Sequence, residues 1–145
     1  MRFGSEVHAA FEAVGWIDES TPVFPPTAAG KMVAELLRVP KLRALFERRG
    51  RAIGLFREQA VDAVADGNWL SGIIDRLHVA RDENGTVNHV EIIDFKTDKI
   101  DGMPALLERY AVQMEAYSGV LRQAWPDARI DCILLSTACR DWVAV

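Results

Sequence analysis

From Ser71 to Asp98 the chain reads SGIIDRLHVARDENGTVNHVEIIDFKTD, two apolar strands joined by a turn, each with an acidic residue where the apolar pattern leads one to expect a hydrophobe. Asp75 interrupts Gly72-Ile73-Ile74 and Leu77, and Asp94 and Lys96 stand on either side of Phe95 just after Ile92-Ile93. A carboxylate in a buried strand costs several kcal/mol unless it is paired or bound to a metal. Two of them with a lysine at one sheet edge therefore mark a site. Strand side chains alternate faces, so Asp94 and Lys96 point one way and Phe95 the other. Asn84-Gly85, between Val79 and Val87, is a hairpin-turn signal that sets the Asp75 strand antiparallel beside the Asp94 strand. The two carboxylates then lie within reach of one ion. Hard oxygen ligands of this kind suit Mg²⁺ or Mn²⁺, and Lys96 adds a compact positive charge beside them.

At 145 residues, half of them hydrophobic, the chain is expected to form a single domain, 1–145, with a core of its own. No apolar run approaches the roughly 20 residues that cross a bilayer, and MRFGSEVHAA lacks the apolar stretch of a signal peptide, so no membrane and a cytoplasmic location are expected. Cys132 and Cys139, with six residues between them, are too few for a four-thiolate cluster and read as reduced structural thiols. The net charge is −4, yet Lys31 to Arg57 holds eight basic residues against two acidic ones. Such a segment either tracks phosphates or is a solvated helix face.

Residues 4–14 read as a helix with Val7, Ala10, Phe11 and Val14 at helical spacing; His8 lies one residue off that stripe, with Glu12 one turn on. A lone histidine there is ordinarily structural or exposed. The prolines at 22, 25 and 26 make a connector, and a helical insert over 27–50 follows: Ala28 to Val39, closed by Pro40, then a short basic helix from Lys41 to Arg49. Gly30-Lys31 is not a phosphate loop, because Pro25 and Met32 stand where the Walker pattern needs glycine and Ser or Thr. Ile53 to Ala65 reads as a strand and Asp66-Gly67-Asn68 as a turn. Glu58 in that strand either points toward the site or pairs with an arginine at a sheet edge. Pro104 opens a long helix to about Trp125 along the stripe Leu107, Tyr110, Met114, Tyr117 and Leu121, with Gln113 and Tyr117 one turn apart. Ile130 to Thr137 reads as a core strand, and Asp141 to Val145 as a last one.

GSEVH with Gly4 and His8, the GIIDRL of Gly72 to Leu77, the IIDFKTD of Ile92 to Asp98 and the YAVQMEAY of Tyr110 to Tyr117 follow one another in an order and spacing that resembles the PD-(D/E)XK nuclease superfamily, within it the C-terminal nuclease domain of RecB and AddA-type helicase-nucleases. The resemblance covers nearly the whole chain. It implies an α/β fold, a central mixed β-sheet flanked by helices, with a restriction-endonuclease-like αβββαβ core and the helical insert after the first helix. It further implies that His8, Asp75 and Asp94 hold Mg²⁺ or Mn²⁺ with the backbone carbonyl of Phe95, that Lys96 is the catalytic lysine, and that Gln113 and Tyr117 line the DNA side of the site. Glu58 is a further candidate.

The activity so implied is exonuclease-type hydrolysis of DNA, on single strands delivered by a helicase in cis or in trans during double-strand-break repair and recombination. Two other expectations are a noncatalytic domain that holds DNA with the basic segment, and a helicase-docking domain. The first would bind without metal and would not cut. The second would form a complex that survives mutation of Lys96.

Overall fold

A computed structural model describes residues 2–65 and 67–145. Five strands form one sheet in the order β1-β2-β3-β4-β5: β1 is Ile53–Ala65, β2 Asn68–Arg81, β3 Val87–Lys96, β4 Arg129–Ser136 and β5 Asp141–Ala144. The first three are antiparallel neighbours, β3 and β4 are parallel, and β5 returns antiparallel to β4. The parallel pair requires a crossover, supplied by the 22-residue helix α4, Met103–Ala124, with Pro104 in its first turn. The expected mixed sheet with flanking helices is therefore present. Among the described residues no helix is long and apolar enough to cross a membrane.

The alternation of β3 and β4 builds two cores. Ile92 and Leu134 turn to α4 and meet Leu106, Met114, Tyr117 and Leu121. Ile93, Phe95, Ile133 and Leu135 turn to the other face, which is covered by α1 (Phe3–Glu12), α2 (Ala28–Leu36) and the short α3 (Pro40–Arg43). Phe11 stacks on Phe95 with ring centroids 4.2 Å apart, and Phe46 lies behind them. The expected helix over Lys41 to Arg49 is only one turn, continued as a 3₁₀ turn over Ala44–Phe46. Burying Leu42 and Phe46 in so short a span fixes two anchors and leaves nothing to extend the helix. Gly30 serves packing: a Cβ there would come within 2.0 Å of the Pro25 carbonyl oxygen.

The hairpin signalled by Asn84-Gly85 is made by a longer loop, organised by Asp82, whose carboxylate accepts from the backbone N–H groups of Asn84 and Thr86. The turn expected at Asp66-Gly67-Asn68 includes Asp66, which lies outside the described residues.

Two arginines tie α1 to the sheet by its exposed carbonyls. Arg57 donates to Glu12 O, and the fully buried Arg76 donates to Val14 O at 2.7 Å and Gly15 O at 2.9 Å. Arg76 also lies over the rings of Trp16 and Phe46, and burial pulls its pKa down to about 9. Its Nε donates to Nε2 of His78, so His78 is neutral, with its proton on Nδ1 facing Glu91 at 3.2 Å. Burial, together with the Arg76 charge, holds His78 below the ordinary histidine value of 6.5. Below that pH the unfolded chain takes up a proton that folded His78 refuses, so stability falls as pH drops through this window. Urea unfolding at pH 5 and pH 7.5 is expected to show a smaller acid-side loss in His78→Gln than in the wild type.

Candidate active site

β2 and β3 keep ladder register from the pair Ala80 and His89 down to the pair Arg76 and Ile93, and then part. One further step of that register sets Asp75 opposite Asp94. Where the ladder stops, the N–H of Phe95 needs a new acceptor, and Oδ2 of Asp75 takes it at 2.8 Å. The notch between the diverging strands is the site. Asp75 and Asp94 are both buried there.

Each carboxylate has a different partner. Oδ1 of Asp75 faces Nδ1 of His8 at 3.3 Å, which holds Asp75 below its ordinary pKa against the cost of burial and raises that of His8. Oδ2 of Asp94 pairs with Nζ of Lys96 at 2.7 Å. Burial, reinforced by the proton-sharing neighbour Asp75, nevertheless pushes Asp94 up to about 7. The pair therefore ionises first at Asp75, and its second negative charge is undercompensated.

Lys96 is steered from α4. Its Nζ donates to Oε1 of Gln113 at 3.0 Å and sits 3.9 Å from the centroid of the Tyr110 ring. Tyr110 is held in turn by its hydroxyl, which donates to Asp98, while Asp98 also accepts from Arg109. Tyr110 and Asp98 are the residues that sequence reasoning passes over. Tyr110 reads as part of the core stripe, and only its place one turn before Gln113 and Met114 hints that its ring lies beside the site.

Nε2 of Gln113 reaches the Tyr117 hydroxyl at 3.4 Å, and that hydroxyl approaches Ile73 O at 3.5 Å. Gly72 makes room for it, because a Cβ at position 72 would lie 2.6 Å from the Tyr117 oxygen. Gly72→Ala is thus expected to displace Tyr117 and, through Gln113, Lys96. Turnover should fall on the order of tenfold to a hundredfold in a folded protein, read by steady-state kinetics beside a thermal melt.

Glu58 falls in a gap of the β1–β2 ladder, between the pairs Arg57 with Arg76 and Gln59 with Ile74 that flank Asp75; its backbone is in the left-handed region at φ 50°, and it lines a cavity of about 590 Å³ together with His8, Glu12 and Thr97. Burial, Asp75 and Glu12 raise its pKa. Of the two readings of Glu58, position supports the one that turns it toward the site, and the adjacent Arg57 is engaged with Glu12 O. A strained non-glycine residue beside a buried acid is where function tends to concentrate.

Within the basic segment, Arg48, Arg49 and Arg51 do not line this notch. Arg48 pairs with Glu19, Arg49 with Glu47, and Arg51 donates to the carbonyls of Arg48 and Glu47. All three precede Ile53, which pairs with Ala80 at the end of β2 remote from Asp75. Internal pairing and a carbonyl-rich turn account for these three of its eight basic residues.

His8, Asp75 and Asp94 thus meet in one notch as linked pairs, and among the described residues no three such donors converge on a single point. The donor chemistry fits a divalent cation all the same: two adjacent buried carboxylates that share a single ammonium, Lys96, and an imidazole in contact with one of them.

The sequence has counterparts among known proteins. An ATP-dependent helicase/nuclease subunit from Streptococcus suis (strain 98HAH33) is 36% identical over 81 residues, which cover 55% of this chain and 6% of that protein. The chain spans only a small part of the length of this curated relative. The model of the PD-(D/E)XK nuclease superfamily matches residues 2–138, a span that takes in both carboxylates, the lysine, the α4 residues and the whole of β4, and the five-stranded mixed sheet with its flanking helices is consistent with that superfamily's restriction-endonuclease-like core. With the match running over residues 2–138 and the sheet consistent with it, the chain belongs to the PD-(D/E)XK nuclease superfamily.

Proposed function

We propose that this chain is a Mg²⁺- or Mn²⁺-dependent deoxyribonuclease of exonuclease type, acting on single-stranded DNA that a RecB or AddA-like helicase delivers, in cis or in trans, in the cytoplasm during double-strand-break repair and recombination. The observation that carries it is the notch itself: Asp75 and Asp94 buried side by side, with Lys96 ion-paired to Asp94 and held from α4 by Gln113. A binding domain gains nothing from keeping two buried like charges together.

In this reading His8, Asp75 and Asp94, with the Phe95 carbonyl, hold the divalent cation. When bound, it supplies positive charge to a phosphoryl oxygen and acidity to a coordinated water. The chain's own groups do the rest. Lys96 places a positive charge where negative charge develops on the phosphorane oxygens, and Gln113 with Tyr110 keeps its ammonium from swinging into solvent. Asp94 and Asp75 orient the attacking water toward the phosphorus, in line with the departing 3′-oxygen. Glu58 and Tyr117 border the path of the strand. The products carry a 5′-phosphate and a 3′-hydroxyl.

The test is cleavage of an end-labelled single-stranded oligonucleotide in Mg²⁺, in Mn²⁺ and in EDTA, with the product ends identified by phosphatase treatment. Metal-dependent release of short 5′-phosphorylated products is expected. A folded protein that binds the strand in EDTA and never cuts it in either metal would overturn the nuclease assignment in favour of a DNA-holding domain.

A further inference from the structure

Beyond the notch, β1 and β2 run on as a two-stranded ribbon, paired with each other from Gln59 and Ile74 to Ala65 and Asn68, with no third strand beside β2 among the described residues. One face of the ribbon is fastened to α4: Val61 and Ile74 belong to the core with Met114 and Tyr117, and Tyr117 fills the space over Gly72. The opposite face carries the cross-strand pairs Ala60 with Ile73, Asp62 with Ser71, and Val64 with Trp69. Its apolar members are open to solvent, Trp69 at 70%, Val64 at 56% and Ile73 at 53%. Toward the notch the next residues on the two strands after Gln59 and Ile74 are Glu58 and Asp75, where the ladder is interrupted. An apolar row headed by an indole therefore leads along the ribbon to the candidate carboxylates, over about 20 Å at the rise of a β-strand.

We propose that this outer face is a stacking track for single-stranded DNA, with Trp69 as its base platform. The inference rests on the nuclease reading and adds the substrate's path. Three features choose a nucleic acid strand over a protein as the occupant. The row is continuous with the site where the strand would be cut. It is braced on α4 through Tyr117, which belongs to that site, so its position relative to the carboxylates is fixed. It also offers an exposed indole, whose face accepts any base without sequence preference. None of the residues of the row is a cation and Asp62 lies in it, so the contact is made by bases, with the phosphates turned to solvent. Trp69 consequently contributes affinity that salt does not screen.

The experiment compares wild type, Trp69→Ala and Trp69→Phe on an oligothymidylate long enough to span the ribbon and on a dinucleotide too short to reach Trp69 from the notch. Trp69 is the most exposed of the tryptophans, so tryptophan fluorescence in EDTA reports strand binding apart from cleavage. The expected result is quenching in the wild type that is lost in Trp69→Ala. In metal, the KM of Trp69→Ala for the long strand should rise about tenfold with kcat kept, its dinucleotide cleavage should be unchanged, and Trp69→Phe should recover most of the loss. The slope of log affinity against log salt should be the same in wild type and Trp69→Ala. Equal quenching and equal KM in wild type and Trp69→Ala would overturn the track while leaving the nuclease intact, and would turn the ribbon face over to a protein partner. Quenching without cleavage in any metal would keep the track and sink the nuclease reading.

Discussion

Asp94→Asn is expected to abolish cleavage, by about a thousandfold or more, without unfolding the protein. The substitution keeps the shape of the side chain and removes the charge that burial and Asp75 oppose most strongly. Its melting temperature should therefore stay within about 3 °C of the wild type or rise. Lys96→Ala should lose on the order of a hundredfold to a thousandfold, since Gln113 and Tyr110 would be left with no ammonium to position. Single-turnover cleavage and a thermal melt on the same preparations separate loss of chemistry from loss of fold. Near wild-type cutting by Asp94→Asn would remove Asp94 from the machinery and with it the carboxylate pair as the centre of the reaction.

Arg76→Met should have the largest effect on stability, about 3–5 kcal/mol by urea denaturation. The guanidinium fills a site closed to solvent, and its loss strips hydrogen bonds from Val14 O, Gly15 O and Nε2 of His78 at once. Arg76→Lys should recover little, because a single ammonium cannot span two carbonyls and an imidazole or lie flat between Trp16 and Phe46. Arg122→Met, on an exposed arginine of α4, serves as the control and should change stability by less than about 0.5 kcal/mol. Arg76 also joins α1, which carries His8, to the residue beside Asp75. The folded fraction of Arg76→Met should hold the His8 to Asp75 contact less well and cut more slowly.

Most of the architecture was legible in the residues because it rests on local periodicity. Alternation in Val87 to Lys96 and the three- and four-residue spacing of Leu107 to Leu121 specify a strand and a helix whatever they pack against. Pro104 marks a helix start by chemistry that needs no tertiary context. The extent of the basic helix after Lys41 was not legible, since burial of Leu42 and Phe46 against Phe11 and Phe95 ends it after a turn. Nor was the role of the arginines that follow, whose partners Glu19 and Asp18 lie about thirty residues away in sequence.

What the sequence determined by itself is the chemistry of the site: two acids in apolar strands, a lysine on the same face as the second, and a histidine, a glutamine and a tyrosine on helices. The acids are legible because a charge in an apolar pattern is costly anywhere in a fold, and the histidine, glutamine and tyrosine through the motifs that resemble the family's. The tertiary structure decided how they are joined. That β2 leaves β3 after Arg76, so that Asp75 caps the freed N–H of Phe95, depends on the twist of a ribbon held over α4. That Tyr110 and Asp98 stand behind Lys96, and that Arg76 and Arg57 bind the end of α1, depends on contacts between elements distant in sequence. No local pattern encodes such contacts, because each is the outcome of packing two faces whose residues are separately compatible with many partners.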